Sequence, residues 1–429
     1  MEVQIPYRST RLANGLHVFV HEDQRAPVAS VNIWYFVGSK DERPGRTGFA
    51  HLFEHLMFEG SQNVRKGQFD ELLEEVGGTN NGSTSPDRTN YWETVPANAL
   101  ALPLFLESDR MGWFLDGITQ EKLDGQRDVV KNERRQSYEN RPYGLAYETI
   151  MKHLYPPTHP YHWPVIGWME DLDAASLDDV RTFFAIYYAP GNAALSIAGA
   201  VQADQVFELV DRYFTPIPPA AVPPRVAPAV TPLTSDMVLT LEDDVHLPRL
   251  YLTWHSPRIF DAGDAELDIA ARVLGNGKTA RLYQRLVHEL EIAQDVDAEQ
   301  ESGLLASSFA LSITAREGVP LSRIHDETRA ILEQAATDLG EREVTRARHH
   351  IETATIDSIQ SAGGFGGKAD RLNHYFFYTG DAGYLNRDLQ RYAALTADTV
   401  RDWTRRTIVE PAVVLSVVPR GKLDLAVRP

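Results

Sequence analysis

Residues 214–236 read FTPIPPAAVPPRVAPAVTPLTSD, with seven prolines between Pro216 and Pro232. Each proline fixes φ near −65° and lacks an amide hydrogen, so this stretch can be neither helix nor central strand. It is expected to run extended, near polyproline II, as a semi-rigid connector. It also falls near the middle of a 429-residue chain, a length greater than one ordinary core serves. The expected organisation is an N-terminal domain over residues 1–214, a linker over 215–236 and a C-terminal domain over 237–429.

Each half repeats a similar order. The first has strand-like Leu16–Glu22 and Val28–Gly38, a helix near residue 50, and a polar edge over Gly77–Val95. Helical patterns follow at Ala97–Gly112, Gln120–Glu139 and Leu177–Tyr188, then a strand Ala193–Val201 and a helix Asp204–Tyr213. The second has strands Met237–Glu242 and Arg249–Trp254, helices Ala265–Leu274 and Arg281–Leu290, and a strand Leu304–Thr314. Long helices Ile324–Leu339 and Glu343–Gln360 and a final strand Ala412–Pro419 follow. This predicts an α+β fold of two tandem, similar α/β-sandwich domains, each an antiparallel-rich sheet with helices packed on it.

Composition excludes several classes. A net charge of −18 opposes nucleic-acid binding, which needs a basic footprint. Cysteine is absent, so disulfides, cysteine nucleophiles and thiolate metal sites are excluded, and any metal must use His, Asp or Glu. No run of about 18 apolar residues exists, so no membrane-spanning helix is expected. The first residues, MEVQIP, lack the basic and apolar regions of a signal peptide, which points to the cytoplasm, or to the periplasm if a leader has been removed.

Residues 51–55 read His-Leu-Phe-Glu-His. Histidines four apart on a helix share one face and can hold one divalent metal, typically zinc. Glu54 leans over the same face without being needed as a ligand. In metal-assisted hydrolysis the metal lowers the pKa of a water and such a carboxylate takes its proton. The order is H-x-x-E-H, the inverse of H-E-x-x-H. The alternative is a surface helix carrying His and Glu for solubility. Phe49, Leu52, Phe53, Leu56, Met57 and Phe58 argue against it, because they imply a mostly buried helix whose polar groups need partners. A third protein ligand must come from elsewhere, and chemistry alone leaves Asp87, Asp128, Glu133 and Glu139 among the candidates.

The segments GFAHLFEHLMFEGS (48–61), VGGTNNGSTSPDRTNYWETV (76–95), QRDVVKNERRQSYENRPYG (126–144), HPYHWPVIGWMEDL (159–172) and YYAPGNAALSIAGAV (187–201) together resemble the M16 peptidase family of inverzincins. The length fits its short, two-domain M16B type, and the pattern is similar to the zinc-bearing subunit of a bacterial heterodimer. The resemblance implies a zinc endopeptidase working on peptides in an enclosed cavity. It implies Zn²⁺ held by His51, His55 and Glu133, with Glu54 as the base. Gln126 stands where the family usually has a second Glu, so support for the ligands from that position is uncharged. Thr79–Ser85 resembles the family's substrate-binding edge strand, with Asn81, Gly82 and Ser83 as the contact residues and Gly82 where Ala is common. An edge strand binds an extended peptide through backbone groups.

The family's second half usually donates an Arg and a Tyr, seven apart, to the substrate carbonyl. Here the matching positions are Val287 and Gln294. Arg281 and Tyr283 resemble structural residues of the preceding turn. The resemblance therefore implies a homologous partner subunit that supplies the Arg/Tyr pair. Two alternatives remain: a non-catalytic scaffold subunit, and a processing peptidase serving one peptide. Gly363–Gly367 reads as a hinge or loop between helices, without the Lys-Ser/Thr ending of a phosphate loop.

Overall fold

A computed structural model describes residues 3–225, 227 and 230–428. Val226, Pro228 and Ala229 of the expected linker lie outside the described residues, as do Met1, Glu2 and Pro429. The described residues between Phe214 and Met237 form neither helix nor strand, as the prolines require.

The first sheet contains β1 (Arg8–Arg11), β2 (His17–Glu22), β3 (Val28–Tyr35), β4 (Thr79–Thr84), β5 (Thr89–Pro96) and β6 (Ala193–Gly199), in the order β1-β2-β6-β3-β5-β4. The second contains β7 (Met237–Asp243), β8 (Arg249–Ser256), β9 (Ala293–Glu301), β10 (Ser307–Ala315) and β11 (Val413–Pro419), in the order β7-β11-β8-β10-β9. In each, one parallel pair, β2 with β6 or β7 with β11, is followed by antiparallel neighbours only. Removing β1 makes the two orders equivalent, so the duplication expected from sequence is a duplication of topology.

The chain divides into two compact units that do not coincide with the halves on either side of the prolines. One comprises Met1–Glu133, Trp163–Val226 and Ala354–Arg387, the other Arg134–His162, Ala227–Thr353 and Asp388–Pro429. Residues 134–162 and 354–387 thus each join the unit built mainly from the other half. The cause is burial of sheet faces. Both β6 and β11 are buried along almost their whole length, so each sheet must be covered on both sides.

In the first unit, helix Lys368–Thr379 packs on β2, β3 and β6. Asp370 there accepts hydrogen bonds from Trp34 Nε1 (2.8 Å), Asn90 Nδ2 (3.1 Å) and Asn32 Nδ2 (3.4 Å). In the second, helix Ala146–Leu154 packs on β8 and β11, setting Ala146, Ile150, Met151 and Leu154 against Val413, Leu415 and Val417. The opposite face of β11, through Val414 and Val418, joins a second apolar cluster with Leu250, Leu252 and Trp254.

Local pattern misses β9. Its residues AQDVDAEQE are poor strand formers, yet pairing with β10 holds Ala293–Glu301 as a strand, with a register shift that leaves Gln294 unpaired. The expected helix at Arg281–Leu290 winds as a π-helix over Tyr283–Glu289. Arg281 at its start is tied to Asp338 and Glu343, in keeping with a structural role. Val287 packs against the second unit's core, and Gln294 is exposed on β9.

Candidate metal centre

The motif forms helix Phe49–Leu56. Its buried stripe, Phe49, Leu52, Phe53 and Leu56, follows helical spacing. Phe53 meets Phe114, Phe183 and Tyr188 at ring-centroid distances of 5.2, 5.3 and 4.5 Å. That stripe fixes the rotation of the helix and so the direction of His51 and His55.

The helix start is equally constrained. Glu42 accepts from the backbone N–H groups of Gly48 (2.9 Å) and Ala50 (2.7 Å), which satisfies two free donors of the first turn. Burial, working against those hydrogen bonds, holds the Glu42 carboxyl well above the usual carboxylate range. Gly48 has φ +82°, and a Cβ there would lie 2.6 Å from the Ile166 carbonyl oxygen. The residue must be glycine on both counts.

Glu133 reaches the two histidines from helix Gln120–Arg134. Its Oε2 lies 3.4 Å from His55 Nε2 and 3.7 Å from His51 Nε2. One ligand atom from each of the three residues falls within 4.8 Å of the others. Ligands on a tetrahedral zinc at about 2.0–2.1 Å are separated by about 3.4 Å. The donor set, two imidazoles and a carboxylate, therefore fits Zn²⁺ in chemistry and nearly in spacing. Burial, followed by the neighbouring His55, lowers the His51 pKa to about 4, so its imidazole is neutral and able to donate a lone pair. Burial acts the same way on His55, but the Glu133 hydrogen bond and charge outweigh it and raise the pKa. The hydrogen bond to His55 in turn lowers that of Glu133. The buried Nδ1 of His51 has no hydrogen-bond partner among the described residues.

Of the other acidic candidates, Asp128 and Glu139 are exposed, and Asp87 is buried with Oδ2 accepting from the Tyr378 hydroxyl (3.2 Å). None of the three joins the cluster. Gln126 lies behind it. Its Nε2 donates to Glu59 Oε1 (2.7 Å), and its side chain hydrogen-bonds His55, helping to raise that pKa. It bridges a candidate ligand to a buried carboxylate.

Glu54 Oε2 accepts from the Thr84 hydroxyl (2.6 Å) on β4. Burial is the main reason its pKa is raised, opposed by Thr84, His55 and Arg88. Strand β4 is the sheet edge, paired on one side only, with β5. The Gly82 N–H donates to the Asn81 side-chain oxygen (2.8 Å), a local substitute for a strand partner. A Cβ on Gly82 would lie 3.2 Å from Glu54 Oε1 and 3.1 Å from the Tyr91 ring, so glycine leaves the carboxylate room. Ser83 is engaged within the hairpin, donating to Asn90 Oδ1 (2.6 Å) and accepting from Arg88 Nη1 (2.7 Å). Thr84, Glu42 and Glu59 were not legible as site residues. Thr84 alone had a usable signal, because it lies two residues beyond Gly82 on the same strand face.

Two histidines and a glutamate with a second carboxylate beside them, on an α+β scaffold, form the layout of a metal-dependent hydrolase centre. Two family models match the chain: insulinase (peptidase family M16) over residues 17–157, and the peptidase M16 inactive domain over residues 174–351. The chain belongs to peptidase family M16. It is 29% identical over 361 residues to the zinc protease PqqE of Helicobacter pylori, covering 83% of this chain and 81% of that protein. It is 23% identical over 367 residues to a probable mitochondrial-processing peptidase subunit beta of Arabidopsis thaliana, covering 81% of this chain and 67% of that protein. The crystal structure of a protease from Helicobacter pylori superposes with a TM-score of 0.88 at 26% identity, covering 97% of this chain and 100% of that one. The family and the names of these relatives support a protease.

Proposed function

We propose that this chain is the zinc-bearing subunit of an M16B-type endopeptidase. The observation that carries the reading is the convergence of His51, His55 and Glu133 beside Glu54, with the free edge of β4 next to Glu54. His51, His55 and Glu133 would hold Zn²⁺, which supplies Lewis acidity for activating water and polarising a peptide carbonyl. An extended peptide pairs with β4 through backbone groups, beginning where the Gly82 N–H exchanges its Asn81 contact for a substrate carbonyl. Thr84 holds one oxygen of Glu54, leaving Oε1 to take a proton from water and return it to the leaving amine. The burial that raises the Glu54 pKa brings it toward the range in which a general base works best near neutral pH.

The carbonyl clamp is assigned to a homologous partner subunit, forming a heterodimer that encloses the peptide. Support comes from Val287, which is apolar and packed against a core, and from Gln294, which carries no cationic or phenolic group. Losing one such donor costs about 10²–10³ in rate. A non-catalytic scaffold is the competing reading, favoured by the match of residues 174–351 to the inactive domain. The test is peptide hydrolysis by the zinc-loaded chain together with its partner. Turnover that Glu54→Gln abolishes while zinc stays bound supports the proposal. Full activity in Glu54→Gln refutes the mechanism, and a zinc-loaded pair without turnover supports the scaffold.

A further inference from the structure

Directly opposed residues of an antiparallel pair share a face of the sheet. Gly82 opposes Tyr91 and Thr84 opposes Thr89, and Thr84 meets Glu54, so this face of β4 belongs to the motif helix. Asn81 opposes Trp92 and Ser83 opposes Asn90 on the other face. There the segment Gly363–Gly367 reaches the sheet, and Phe365 stands edge-on to Trp92, with ring centroids 5.7 Å apart and planes at 88°.

That segment is more than a loose hinge. A Cβ at Gly363 would lie 2.2 Å from Ser30 Oγ and 2.3 Å from Thr94 Oγ1, so only glycine allows the backbone to lie this close to β3 and β5. Gly364 and Gly366 both have φ +76°. The Gly366 N–H donates to Asp370 Oδ2 (2.8 Å), and the Ser361 hydroxyl donates to the Gly363 carbonyl (2.7 Å). The glycines and Asp370 thus hold in place an aromatic side chain that is 50% exposed. Beneath it, the buried Trp92 indole N–H has no acceptor among the described residues.

We propose that Phe365 and Trp92 form a specificity surface that selects large apolar side chains in the peptide substrate. The inference rests on reading β4 as the peptide-binding edge. A peptide added to β4 turns alternate side chains to the Asn81 face. Trp92 lies two strand spacings from such a peptide, about 9.6 Å. Long or aromatic side chains bridge gaps of this order and Ala or Ser does not, so the surface discriminates by size. Asn81 and Ser83 lie between; Ser83 is engaged with Asn90 and Arg88, so the apolar contact is left to Phe365.

The test uses the full zinc-loaded chain carrying Glu54→Gln together with its partner subunit, so that peptides bind without being cut. Two fluorescent dodecapeptides differ only in having Phe and Leu, or Ala and Ser, at alternating positions, and binding is read by anisotropy. The apolar peptide is expected to bind the Phe365-containing chain more tightly. Phe365→Ala, at a half-exposed position, should weaken the apolar peptide about tenfold and leave the small one unchanged. Phe365→Leu should restore most of the loss. Equal weakening of both peptides, or none, overturns the proposal while the endopeptidase reading stands. If neither peptide binds the Phe365-containing chain, β4 is not the peptide edge and the inference falls with that reading.

Discussion

Replacing Asp370 by alanine tests whether the exchanged helix Lys368–Thr379 is locked to the first sheet by one carboxylate. In the intact chain this carboxylate receives donors from Asn32, Trp34 and Asn90 on β3 and β5, and from the Gly366 amide. The 3.4 Å bond from Asn32 Nδ2 is weak, while Asn32 Oδ1 separately accepts from Asn373 Nδ2 (2.9 Å). Three strong bonds remain, at 2.8–3.1 Å. A buried donor left unpaired costs about 1–3 kcal/mol. Allowing for water entering the vacated space, Asp370→Ala should weaken local closure by about 3–5 kcal/mol. Asp370→Asn keeps one carbonyl oxygen but faces the other donor with an amide, so about 1–2 kcal/mol is expected. The loss should be local. Asn373 still receives the Ser196 hydroxyl (2.7 Å) and donates to the Asn32 carbonyl (3.0 Å), holding the middle of the helix. Amide hydrogen exchange should therefore accelerate most at Gly363–Asp370 and less toward Thr379. Exchange in Asp370→Ala within about 0.5 kcal/mol of the parent would show that apolar packing alone seats the helix, and would refute the reasoning.

Glu133→Ala should weaken zinc binding by more than about 100-fold, and Gln126→Ala by about 10–100-fold, measured by competition with a chelator. Equal effects would contradict the assignment of ligand and support. Gly48→Ala should destabilise the chain by about 2 kcal/mol or more, through the strained φ and the contact with Ile166, and lower zinc affinity by loosening the motif helix. Denaturation in the presence and absence of zinc reads both effects. Burial, with added repulsion from Asp264 and Asp388, raises the Asp268 pKa to about 7 from an ordinary 3.8, against a hydrogen bond from Tyr392. The folded chain keeps a proton that the unfolded chain sheds, so this stabilisation is complete below about pH 4 and lost as pH rises through about 7. At about 1.4 kcal/mol per unit the loss is up to about 4 kcal/mol, and Asp268→Asn should flatten the stability profile across that window. An unchanged slope would count against a raised Asp268.

The parts legible in sequence were those set by short-range geometry. Helical spacing places His51, Glu54 and His55 on one side of the apolar stripe before any tertiary contact forms. Proline chemistry breaks the chain at residues 216–232, and alternation and length mark most strands. Glu133 was one acidic residue among several until resemblance singled it out, because nothing local distinguishes a ligand from a solvated helical carboxylate. Gln126, seven residues earlier on the same helix, was likewise singled out only by resemblance, and its contacts with Glu59 and His55 are set by tertiary packing.

Chain chemistry by itself pointed to two similar α+β halves and a candidate zinc grip, whereas reading Val287 and Gln294 as empty clamp positions came only from the resemblance to the family. Tertiary structure decided the rest: the meeting of Glu133 with the two histidines, the support of Glu54 by Thr84, and the exchange of helices Ala146–Leu154 and Lys368–Thr379 between units. The acidic β9 is a strand for the same kind of reason, since β10 offers it a ladder that its own residues would not nucleate. In each case the deciding energy is burial or hydrogen bonding between segments far apart in sequence. Periodicity and propensity act over a few residues and carry no record of which distant partner will complete a sheet face or a metal site.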